Sequence, residues 1–128
     1  MYILAITDIV GRFHPVLVHL PIGILLLGCL FHLFSLDKKF VTITIFWGMV
    51  SAVLSALTGY FLSLSGDYET SLVNKHQWLG IVTAVISLLF YLLLKSIAKT
   101  LVTKSVAIIL ILLIVVTGHL GGSLTHGE

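Results

Sequence analysis

The sequence predicts an all-α integral membrane protein, a four-helix up-down-up-down bundle in one domain, and three observations carry that prediction. Hydrophobic residues make up 59% of the 128-residue chain and charged residues 9%, with a mean hydropathy of +1.19, so there is too little polar residue to cover a water-soluble surface. Apolar runs recur at spanning length, since a hydrocarbon core about 30 Å thick, crossed at about 1.5 Å per helical residue, needs roughly 20 residues. The connectors are short, which makes successive helices antiparallel neighbours.

Residues 1–12, MYILAITDIVGR, hold an apolar run too short to span and lack the basic start of a secretory signal; they read as a retained, interfacial lead-in. The first span covers residues 15–36 and ends at the charged triplet Asp37, Lys38, Lys39. The second covers residues 40–64. Residues 65–75, SGDYETSLVNK, carry the composition of an external loop. The third span covers residues 76–94, a basic turn follows over residues 95–104, and the fourth covers residues 105–122, with SLTHGE as its exit. No repeat or linker argues for a second domain.

Basic residues orient the bundle. Lys38 and Lys39 lie in the first connector and Lys95, Lys99 and Lys104 in the third, whereas the opposite side offers Arg12 and Lys75 among Asp8, Asp67, Glu69 and Glu128. The positive-inside rule therefore puts both termini outside, on the periplasmic side of a bacterial inner membrane. Tyr68 and Trp78 fall at the outer boundary, where such rings anchor a protein in the interface.

On that frame five of the six histidines share the outer end: His14, His19, His76, His119 and His126. His32 stands apart, roughly 20 Å further along the first helix, with no partner predicted within reach. An ionisable side chain at membrane depth points to function, and neutral imidazole is a principal ligand for haem iron, copper and zinc. Imidazoles also snorkel, cap helices or bond to loop carbonyls, so the cluster, rather than any one member, carries the argument. Gly23 follows His19 by four residues and Gly80 follows His76 by four, leaving a side-chain-free turn beside each ring. A flat macrocycle between helices about 8–10 Å apart needs such room.

Pro15 suits a first helical position, whereas Pro21 lies inside the helix, leaves the Leu17 carbonyl without its usual donor and predicts a kink near His19. His14 and His19 are five residues apart, about 140° on a helical wheel, so an unbroken helix aims only one of them at a given point. His19 is the expected ligand and His14 an outer contact or cap.

Several chemistries drop out. No CxxCH motif attaches haem covalently, the single Cys29 precludes an intrachain disulfide, and no HExxH motif is present. Met1 and Met49 are the only thioethers, which weakens a copper-carrier reading, and buried carboxylates for an ion pump are lacking. A non-covalent b-type haem survives best. Helices 1 and 3 lie diagonally in the simplest bundle, which makes His19 with His76 the expected axial pair, His119 able to replace either, and a second haem conceivable at His14, His119 or His126. His19, His76 and His119 are also the residues expected to bind a bare metal. Arg12 and Lys75 are candidates to meet haem propionates.

FHPVLVHLPIG at the start, KHQWLG at the third helix and GHLGGSLTHGE at the end resemble a bacterial family of small, uncharacterised four-helix membrane proteins. Relatives of that type form the membrane part ahead of planctomycete-type cytochrome c domains. The resemblance spans nearly the whole chain and implies a redox setting at the periplasmic face, with His14, His19, His76, His119 and His126 as this chain's copies of the motif histidines. This chain departs from the fused architecture in ending at Glu128, which is expected to leave the soluble domain on another protein or on a longer form of this one. The expected function is an electron-transfer subunit, rather than a stand-alone enzyme, that exchanges electrons with a periplasmic cytochrome or dehydrogenase and with quinone. It is expected to bind no nucleic acid and to be able to join an oligomer or larger complex. The alternatives are a non-haem zinc or copper membrane protein and a structural or assembly subunit without cofactor.

Overall fold

The computed structural model describes residues 9–64 and 70–126. Asp8, Asp67, Tyr68, Glu69 and Glu128, used above to orient the chain and anchor it, lie outside the described residues. Four helices, long and apolar enough to cross a membrane, form a bundle: α1 (Ile9–Leu33), α2 (Lys38–Ser63), α3 (Thr70–Lys95) and α4 (Thr100–His126). The described residues contain no strand.

Each helix begins before its predicted span, although α1 and α2 stop short of the predicted ends, at Leu33 and Ser63. α3 begins six residues before His76, so Thr70 to Lys75 are helical rather than loop, and the basic turn shrinks to residues 96–99. The lead-in is likewise helical from Ile9. Hydrophobicity marks only the part of a helix that needs lipid, whereas backbone hydrogen bonding carries the helix on into polar sequence.

Local chemistry sets the ends. Asp37 caps α2, its Oδ1 accepting from Lys39 N at 2.9 Å and Phe40 N at 3.2 Å. α1 closes with Ser35 at φ 59°, where Ser35 N donates to His32 O at 3.0 Å and Leu36 N to Phe31 O at 2.9 Å, the paired bonds of a left-handed helix terminus. α1 is interrupted at Phe13 and Val18, which separate the short turn His14–Leu17 from His19–Leu33. The second interruption matches the break expected from Pro21, three residues on.

Helix α1 packs on α2, α2 on α3, α3 on α4 and α4 back on α1. Gly11 meets Leu62, His14 meets Gly59 and Gly28 meets Ile45 across the first pair. Leu25, Cys29, Ile45, Phe90 and Leu110 fill one half of the interior. Small and hydroxyl residues let the backbones approach: Ser51 Oγ donates to Gly48 O at 2.8 Å and Ser87 Oγ to Ala84 O at 2.7 Å, so both hydroxyls are satisfied inside their own helices. The exterior is apolar, with Val16, Phe34, Trp47, Leu57, Val85 and Leu112 exposed, as contact with lipid requires.

His32 is not isolated at its end of the bundle. Thr103 Oγ1 donates to Thr100 O at 3.0 Å and accepts from His32 Nε2 at 2.9 Å, while the His32 ring meets Phe90 edge-on at 5.4 Å. The expectation of no partner overlooked hydroxyls on the last helix, which returns beside the first.

A methyl built on Gly48 would stand 2.5 Å from Leu25 Cδ2 and 3.3 Å from Leu25 N, so backbone as well as side chain blocks it. Gly48→Val is expected to cost about 1–3 kcal/mol through overpacking, read as a lowered thermal unfolding midpoint in detergent.

Candidate functional site

Opposite the filled half, the bundle is hollow. A cavity of about 490 Å³ lies among all four helices, within the roughly 300–1,000 Å³ of sites that hold compact organic ligands. His14, His19, His76 and His126 line it, as do Gly80, Gly118, Gly121 and Gly122.

Two imidazoles are held with unusual care. His14 on α1 and His76 on α3, helices that face one another across the bundle, bring their ring centroids to 6.1 Å with planes at 74°. His14 Nδ1 is 2.9 Å from Ser55 O, and His76 Nδ1 is 3.0 Å from Thr117 O. A carbonyl oxygen only accepts, so each Nδ1 carries the proton and donates it, leaving Nε2 as the atom with a lone pair. Each acceptor is followed one turn on by a glycine, Gly59 after Ser55 and Gly121 after Thr117, and Ser55 O also accepts from Thr58 Oγ1 at 3.0 Å. A methyl on Gly59 would lie 2.7 Å from His14 Cε1, and one on Gly121 would lie 3.0 Å from His76 Cε1, so each ring rests against the bare backbone of the neighbouring helix.

The same spacing describes both halves. Ser55 follows His14 by 41 residues and Thr117 follows His76 by 41; Gly59 and Gly121 follow those acceptors by four. His14, Ser55 and Gly59 map onto His76, Thr117 and Gly121 by one offset of 62. The sequence reading found no repeat, because the correspondence survives in spacing and in only a few identical residues, His14 with His76, Gly59 with Gly121 and Leu62 with Leu124. A histidine followed at 41 residues by a hydroxyl residue, with glycine four later, is the signal that would have found it.

The remaining predicted residues fall in different places. His19 lines the cavity but is exposed, and its Nδ1 donates to Pro15 O at 2.8 Å, one turn back on its own helix. His14, rather than His19, therefore meets His76. The expectation rested on a helix beginning at Pro15; because helical structure already runs from Ile9 and breaks at Phe13 and Val18, His14 is inside the span and turned inward. His119 does not line the main cavity. It stands two residues from both Thr117 and Gly121, about 200° around the wheel from the face those two turn toward His76, and borders a shallower hollow of about 230 Å³ with Gly122, Ser123 and His126. Gly23 is exposed and outside the cavity, nine residues and about 180° from His14, whereas Gly80 lines it with no atom within 4 Å of a built methyl. Arg12, Lys75 and Trp78 are exposed and do not line the cavity. Sequence reasoning missed the two acceptor carbonyls and the two ring-bearing glycines, Gly59 and Gly121, as a pair.

Among the described residues no group of three or more histidine, cysteine or acidic side chains is placed to hold a metal ion. Comparison with known protein families, with curated proteins and with solved structures finds no match to the chain.

Proposed function

We propose that this chain is a membrane electron-transfer subunit that holds one non-covalent b-type haem between His14 and His76. The facing imidazole pair carries the proposal. His14 and His76, with ring centres 6.1 Å apart and Nδ1 of each occupied, would hold the haem iron through Nε2. A bare zinc ion takes three or four protein ligands, whereas porphyrin iron brings four nitrogens of its own and needs two more. Two imidazoles, with no third donor grouped with them among the described residues, suit the second case.

The chain's own groups do the rest. Ser55 and Thr117 carbonyls fix each tautomer and, by accepting the Nδ1 proton, make Nε2 a stronger donor, which favours the oxidised metal. Gly80 and Gly122 leave open space where a macrocycle edge needs it. Arg12 and Lys75, exposed and close in sequence to His14 and His76, are the candidate propionate partners. When bound, the haem supplies reversible one-electron transfer.

The pairings Gly11 with Leu62 and Gly28 with Ile45 support an up-down order. In this reading the lysine-rich connectors face the cytoplasm, and the cavity and both termini lie on the periplasmic side of a bacterial inner membrane. From there the site exchanges electrons with a periplasmic cytochrome c or dehydrogenase, with membrane quinone as the second partner. Transfer across the whole bilayer is not part of the proposal, because His32 is bonded to Thr103 and has no facing imidazole.

The test is purification in mild detergent after expression with ample haem supply, followed by oxidised and reduced visible spectra and iron analysis. The expected result is a reducible, low-spin chromophore with one iron per chain. A colourless, folded protein contradicts the proposal, and stoichiometric zinc or copper in place of iron redirects it.

A further inference from the structure

The cavity as a whole, and not only its two histidines, repeats itself. Of the 25 residues around it, 20 form ten pairs at the constant offset of 62, among them Leu62 with Leu124 and Ser63 with Thr125. The offset carries α1 onto α3 and α2 onto α4. In a ring of four helices packed in the order α1, α2, α3, α4, that exchange is a half-turn about the bundle axis, which runs between His14 and His76. The site is thus built on an approximate two-fold axis lying along the bundle.

A ring gripped from both faces by these imidazoles lies in a plane that contains this axis. Protohaem has an approximate two-fold axis of its own in that plane, between its two propionates. A half-turn about it presents the opposite face, keeps the propionates together at one edge, and exchanges only methyl and vinyl positions along the two sides. We infer that the site does not distinguish the faces of its ligand, and binds protohaem in two face-flipped orientations of comparable population. This rests on the haem reading above.

The departures from symmetry are modest in size and specific in place. Val18 answers Gly80, and Ile114 answers Ala52, so the larger member of each pair lies on α1 or α4. The remaining unpaired residues, His19, Ile22, Val73, Gly122 and His126, add no second facing pair of ligands. Both orientations meet the same side chains and differ only in exchanged methyl and vinyl groups, so these departures bias a ratio rather than exclude one orientation, and the expected ratio stays within about tenfold of unity.

The experiment is proton NMR of the oxidised, haem-loaded full chain in detergent, reading the hyperfine-shifted haem methyl signals, in parallel with an iron porphyrin that is symmetric about the axis between its propionates. Two sets of methyl signals with protohaem, within about tenfold in intensity, and one set with the symmetric porphyrin are expected. A single set with protohaem overturns the inference and leaves haem binding intact. Two sets persisting with the symmetric porphyrin also overturn it, because the heterogeneity then comes from the protein. A chain that binds neither porphyrin overturns the haem reading and this inference together.

Discussion

Replacing either His14 or His76 with alanine is expected to abolish the bis-imidazole spectrum, leaving the haem high-spin and bound at least about 100-fold more weakly, a loss beyond the roughly 10–100-fold typical of outer-shell changes. The two variants should behave alike, because each ring has the same carbonyl acceptor and the same glycine support. His19→Ala and His119→Ala should retain the wild-type spectrum: the first ring is bonded back to Pro15 on its own helix, and the second lies outside the cavity. His14→Gly supplies the control for misfolding, since millimolar imidazole should re-enter the vacated space and restore the low-spin spectrum. Visible spectroscopy of the purified variants reads all of these outcomes.

The second large effect separates two glycines that composition treats alike. Alanine at Gly59 puts a methyl 2.7 Å from Cε1 and 3.1 Å from Nδ1 of His14, so the ring must move and its 2.9 Å bond to Ser55 O is lost. Haem affinity is expected to fall about 10–100-fold, as for loss of an outer-shell partner. Gly121→Ala, at 3.0 Å from His76 Cε1, should act in the same direction and more mildly. Alanine at Gly80 meets no atom within 4 Å, so the stability of the haem-free protein should stay within about 0.5 kcal/mol of wild type. Its methyl nevertheless projects into the cavity, and haem affinity should fall while thermal stability without haem does not. Haem titrations beside thermal denaturation of the haem-free variants check the contrast.

Much of the architecture was legible in the sequence because the bilayer is a severe solvent: four runs of spanning length, separated by Asp37 with its lysines and by the polar stretch ahead of Lys75, allow few other readings. The break in α1 was legible from Pro21 for an equally local reason, a missing backbone donor. The end of the bundle that carries the histidines was legible as well. What failed was the rotational setting of individual residues. Lipid accepts apolar residues on every side, so hydrophobicity draws no inward stripe, and the wheel must be set from contacts instead. His14 was read as lying before the helix because Pro15 suits a first helical position, yet helical structure begins upstream and turns it toward Gly59. His119 was expected to be able to replace either axial histidine, although Thr117 and Gly121, four apart on one face, already turn the intervening residue away from His76. The internal correspondence was hard to see for a related reason: most paired positions differ, as Pro15 with Gln77 and Ala52 with Ile114 do, and identity is kept at few, such as His14 with His76 and Gly59 with Gly121.

One consequence of the duplicated design is that neither half completes the site. The α1–α2 half supplies one imidazole with its carbonyl and glycine, the α3–α4 half supplies the other, and the space between them belongs to both. The proposed grip of two imidazoles on one iron is tested directly by pulsed EPR of the oxidised protein carrying 15N-labelled histidine. Coupling of the iron to two histidine nitrogens is expected in the wild type and to one in either His14→Ala or His76→Ala. Coupling to no histidine, or to two that persist after His14 is removed, would contradict the account.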